Sequence, residues 1–135
     1  MTVDEYFGRI DMLEALIQAR LADYERLFSI ATKMTAGMDG MPHGTEVTDK
    51  VGGIGAKLAD YSRQIDMLID QKADTVKIME KLLPNEYSVL HRLYVLGMTW
   101  EEAAEDLHIG TTTVDRYRKS GLENLKSVVS GLEWE

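Results

Sequence analysis

Arg116 and Lys119 stand three residues apart in the last quarter of the chain, with Thr112 and Asp115 beside them. At the helical rotation of about 100° per residue these four side chains share one face, and Thr111 and Arg118 fall at its borders. Guanidinium, ammonium, hydroxyl and carboxylate groups in that arrangement can hydrogen-bond the edges of bases in a major groove. Arg116 can pair with guanine, and Asp115 can accept from cytosine or orient Arg116. Thr111 and Arg118 at the border suit phosphate contacts near a helix N-terminus, and Thr113 of the same turn is counted with the set. Val114, Tyr117, Gly121, Leu125 and Val128 occupy the opposite face and should be buried.

Other chemistry finds little support. Glu101, Glu102, Glu105 and Asp106 are carboxylates on what reads as an exposed helical face, and the first two suit a helix N-terminus. They carry no expectation of acid–base catalysis, but they offer a docking face for a basic partner. His43, His91 and His108 have no metal-ligand spacing; two read as loop or turn residues and His91 as a surface helical one. With no cysteine in the chain, thiolate zinc sites, disulfides and a cysteine nucleophile are excluded. No enzyme activity, cofactor or metal is expected.

Three helical segments position the outward face. Pro84 ends one helix or opens the next, because it disfavours helical geometry at Leu83 and suits a first-turn position. Asn85 to Leu96 buries Val89, Leu90, Leu93 and Tyr94 and stops at Gly97. Thr99 and Glu102 form a capping box for a second helix with Trp100, Ala103, Ala104 and Leu107 on its inner face. The turn His108-Ile109-Gly110 leads to the third. Two short helices, a tight turn and a polar-basic exposed helix have the anatomy of a helix-turn-helix.

The run Pro84-Asn-Glu-Tyr-Ser-Val-Leu-His-Arg-Leu-Tyr-Val-Leu-Gly-Met-Thr-Trp-Glu-Glu-Ala-Ala-Glu-Asp-Leu-His-Ile, then Thr113-Val114 and Gly121-Leu122, resembles the helix-turn-helix of sigma factor region 4. His108 stands where that family usually has Gly, and a non-Gly residue there takes a positive φ, which His tolerates better than most. Gly110 replaces the usual Ser cap, and Gly121 replaces Ala inside a helix at a propensity cost of about 1 kcal/mol. Asp11-Met-Leu, Ala31-Thr32 before a Gly-rich stretch, Asp49-Lys50-Val51 and Ala56-Lys57-Leu58 look like the small phage and prophage regulators of the ArpU and RinA type. That resemblance implies control of late phage transcription; double-stranded DNA is the expected partner of the outward face, and RNA polymerase or another basic partner that of the acidic face.

Upstream, Thr2 and Glu5 make a capping box, and Tyr6, Ile10, Leu13, Ile17, Tyr24, Leu27, Ala31 and Met34 recur at heptad spacing. A helix of that length runs about 50 Å. Residues 35–48 read as a loop, after which Thr48 caps a second helix with its own seam: Val51, Ile54, Leu58, Tyr61, Ile65, Leu68, Val76, Met79 and Leu83. The expected fold is all-α: a long antiparallel, coiled-coil-like hairpin for oligomerisation over 1–83, a sigma region 4-like helix-turn-helix domain over 84–130, and a tail over 131–135. Two seams too narrow to cover each other predict a homodimer.

The net charge of −8 rules out a general nucleic-acid coat. The basic surface is local: over 108–128, Arg116, Arg118, Lys119 and Lys126 face only Asp115 and Glu123. No apolar run spans a bilayer and no leader pattern opens the chain, so a cytoplasmic location without a membrane partner is expected. The reading is a sequence-specific transcription regulator. A small-terminase-like packaging protein and a helical protein–protein adaptor are the rivals.

Overall fold

A computed structural model describes residues 1–36 and 45–132, and these are helical throughout apart from short turns, with no strand among the described residues. The elements are α1 (Val3–Ala36), α2 (Thr45–Lys77) followed by a 3₁₀ turn (Ile78–Lys81), α3 (Pro84–Leu90) followed by a π-helical turn (His91–Val95), α4 (Trp100–Leu107) and α5 (Thr111–Ser130). The capping signal at the start of α1 is realised: the Glu5 N–H donates to Thr2 Oγ1 at 3.1 Å. The second long helix begins at Thr45, ahead of the Thr48 expected to cap it, and Thr35 and Ala36 belong to α1. The remainder of the expected loop, His43 included, and Trp134 of the tail lie outside the described residues.

Contacts divide the chain into two compact units, Leu13–Gln71 and Met1–Met12 with Lys72–Glu135. The sequence reading placed its boundary at 83–84. The difference has a physical cause: Tyr6, Phe7 and Ile10 of α1 bury in one core with Met79, Leu82, Leu90, Leu125 and Val129. Burial of that apolar surface outweighs the continuity of the long helices in deciding what packs with what.

In the 13–71 unit, Leu13, Ile17 and Ile65 of the expected seams are buried. Leu16 and Arg20 share a groove with Gln64, Met67, Leu68 and Gln71. Further along, Asp23, Leu27 and Ile30 share one with Lys57 and Tyr61. Rising numbers on α1 meet falling numbers on α2, so the two run antiparallel.

The other unit holds the candidate site. Pro84 takes the first-turn position of α3, with Leu83 extended at φ −61°, ψ 148°. Gly97 closes the π turn at φ 71°, a conformation that favours glycine. Thr99 Oγ1 caps α4 by accepting from the Glu102 N–H at 3.1 Å, and its own hydroxyl donates to Glu102 Oε1. His108 ends α4 in the left-handed region at φ 57°, ψ 43°, its N–H shared between the Ala104 and Glu105 carbonyls. This is the positive φ expected at that position, adopted by a residue with a Cβ.

Helix α5 packs on α3 and α4. Val114 joins Val89 and Ala104 in a small second core. Gly121 passes so close to α3 that a Cβ there would lie 2.9 Å from Leu90 Cδ1 and 3.2 Å from Glu86 Cβ. The glycine is therefore a packing requirement as well as a propensity cost. Towards the end of α5 the fully buried residue is Val129, with Val128 half-buried, because Val129 lies one full turn beyond Leu125.

Candidate nucleic-acid interface

The start of α5 is held by its neighbours. Val114 is fully buried, Gly110 precedes the helix in an extended conformation without a side-chain cap, and the Val114 N–H donates to the Gly110 carbonyl at 3.1 Å. Thr111 and Thr112 are exposed in the first turn and Thr113 is half-buried. The free N–H groups of a first helical turn, with two exposed hydroxyls, form a surface suited to an anionic oxygen.

Arg116 and Lys119 are exposed as expected, and the Lys119 side chain is 70% accessible. The Arg116 guanidinium rests 5.3 Å from the ring centre of Tyr117. Asp115 does not orient Arg116. Its two oxygens bind Arg118 Nη2 at 2.9 Å and Lys119 Nζ at 3.1 Å. Those two cations, Arg118 foremost, hold the Asp115 carboxyl below the usual carboxylate range.

Arg118 faces inward more than a border position implies. Its side chain is 21% accessible, and its guanidinium lies 4.9 Å from the ring centre of Trp100 on α4. Its pairing with Asp115, and then with Tyr94, raises its already high pKa. Arg118 thus braces α4 against α5, a planar cation stacked on an indole. Trp100 was expected on the inner face of α4; at 41% exposure it lies outside the core and covers Arg118. Ala103 and Ala104 do line that inner face, both buried.

The acidic face of α4 is exposed at Glu101, Glu102 and Glu105. Asp106 is tied to α3's extension by the Arg92 Nε, 2.5 Å away. His91 is half-buried and stacked on Tyr87 with ring centres 5.4 Å apart, not a free surface residue. Burial first, then the neighbouring Arg92 and Lys72 charges, hold its imidazole below the ordinary value. No cluster of metal-ligating side chains occurs among the described residues. Among the described residues no helix is long and apolar enough to cross a membrane.

One polar network was not read from the sequence. Glu86 is 2% exposed, and its carboxylate accepts from the Ser120 hydroxyl, from Asn124 Nδ2 at 2.7 and 3.0 Å, and from the Leu83 N–H at 3.3 Å. Burial pushes its pKa up, but the Ser120, Asn124 and Leu83 hydrogen bonds outweigh burial and hold the carboxyl below its ordinary range. The clasp ties α5 to α3. The only local hint was Glu86 two residues after Pro84, where an acid caps a first turn; Ser120 and Asn124, more than thirty residues on, carry no short-range signal. No family model, curated protein or solved structure matches this chain.

Proposed function

We propose that the chain is a sequence-specific DNA-binding regulator of transcription that presents α5 to the major groove as a sigma region 4-like recognition helix. The observation that carries this reading is the exposed set Thr111, Thr112, Arg116 and Lys119 over the first turns of a helix anchored by Val114, Gly121 and Leu125. Arg116 is the base reader. Lys119 and the first-turn threonines contact phosphate, and Arg118 with Asp115 positions the helix. The long antiparallel pair α1–α2 serves as the oligomerisation element, giving a homodimer. Control of late phage transcription, RNA polymerase as a further partner and a cytoplasmic location complete the proposal.

Selection of bound sequences from a random double-stranded pool tests it. Arg116→Ala should weaken binding to the selected site by roughly ten- to a hundred-fold and relax preference at one base pair. Lys119→Ala should weaken all sequences alike and reduce the salt slope by about one unit. A second reading, a protein–protein adaptor, draws on the exposed carboxylates of α4. It prevails if both substitutions leave DNA binding unchanged while Glu102→Ala or Glu105→Ala abolishes activity.

A further inference from the structure

Within residues 13–71 a second stripe, part apolar and part charged, runs beside the buried seam of Leu13, Ile17 and Ile65. On α1, Leu16, Arg20, Asp23, Leu27 and Ile30 follow at intervals of 4, 3, 4 and 3 residues and line the grooves shared with α2. On α2, Lys57, Tyr61, Gln64, Leu68 and Gln71 line the same grooves at the same intervals. Matching heptad stripes on both helices make one continuous face, and a two-helix hairpin cannot cover it alone. Large apolar side chains stand open on it: Leu16 at 39%, Ile30 at 42% and Met67 at 61% exposure.

The groove register identifies what fits there. Leu16 and Arg20 lie alongside 64–71, and the stretch from Asp23 to Ile30 lies alongside 57–61. Arg26 is therefore level with Asp60, and Ala19 with Met67. Arg26 and Met67 line the grooves at their margins, Ala19 and Asp60 stand a heptad away on the same helices, and all four are exposed. A second copy related by a two-fold axis parallel to the helices lays α1 of each chain antiparallel on α2 of the other and preserves the levels. Arg26 then comes level with the second copy's Asp60, whose oxygens already accept from Arg63 at 3.1 Å and Gln64 at 2.9 Å on its own helix, and Ala19 receives its Met67: opposite charges face each other, and a long flexible side chain covers a small one. Because the face carries both charges at matching levels, it complements itself better than it complements a helix of one sign.

We propose that this face binds a second copy of the chain in a two-fold four-helix bundle, with Arg26 of each copy paired to Asp60 of the other. The proposal rests on the self-association put forward above and is independent of DNA binding. Sedimentation equilibrium of the full chain, with helicity followed by circular dichroism, tests it. Arg26→Asp and Asp60→Arg, both at exposed positions, should each weaken self-association on the order of ten-fold or more without loss of helicity. An equimolar mixture of the two variants should form a heterodimer as tight as the wild type, and the double variant R26D/D60R should regain self-association. A wild-type chain that stays monomeric at high concentration overturns both this proposal and the dimer reading. A wild-type dimer indifferent to the single changes, or one lost in them and restored in neither combination, overturns this surface alone.

Discussion

Gly121→Val should lower the stability of the chain by about 3 kcal/mol, read as a drop in the urea midpoint at neutral pH. The first added carbon already meets Leu90 Cδ1 at 2.9 Å and Leu90 Cγ and Glu86 Cβ at 3.2 Å. Leu90 is fully buried between α3 and α5 and cannot swing into solvent. The branched methyls of valine would have to move α3 away from α5 and strain the Glu86 clasp. Gly121→Ala sets two opposing effects against each other: a gain of about 1 kcal/mol in helix propensity and an overpacking cost of about 1–3 kcal/mol. A small net loss is expected, well below that of valine. If valine costs under about 1 kcal/mol, the α3–α5 approach is looser than these distances imply.

Glu86→Ala should cost about 3 kcal/mol, since it removes a buried carboxylate that accepts from Ser120, Asn124 and the Leu83 N–H and leaves a void in its place. Glu86→Gln keeps the shape but loses the charge, and should fall between alanine and the wild type. The same clasp makes stability depend on pH in a definite direction. The folded-state pKa lies below the ordinary 4.5, so folding favours the ionised form. That contribution is fully present above 4.5 and is lost as pH falls from there through the folded-state value. Urea midpoints taken between neutral pH and pH about 3 should therefore fall more steeply for the wild type than for Glu86→Gln. Parallel curves for the two proteins would show that Glu86 is not the clasp described.

The two substitutions also separate folding from recognition. Neither Gly121 nor Glu86 reaches the surface where Arg116 and Lys119 are exposed. Their effect on DNA affinity should follow the fraction folded, whereas Arg116→Ala should change affinity with stability intact.

Local chemistry alone made much of this chain readable. Thr2, Thr99 and Pro84 mark helix starts because each acts on backbone groups within one turn, and all three do so. Helical periodicity alone turned Val114, Gly121 and Leu125 inward and Thr112, Arg116 and Lys119 outward, since a side chain's face depends only on its place in the repeat. What depended on distant residues was decided by the tertiary structure. That Tyr6 and Ile10 of the long-helix seam bury with Leu125 and Val129 follows from shape and burial across more than a hundred residues. Arg118 turned from the surface to Trp100, and Asp115 from Arg116 to Arg118, because partners one turn away and on the next helix stood closer than solvent. Glu86 reads as a plain first-turn acid until α5 brings Ser120 and Asn124 against it. Backbone caps and periodicity act over a few residues and are written in order along the chain; which side chains meet depends on how the helices dock, and that order is written nowhere in the local pattern.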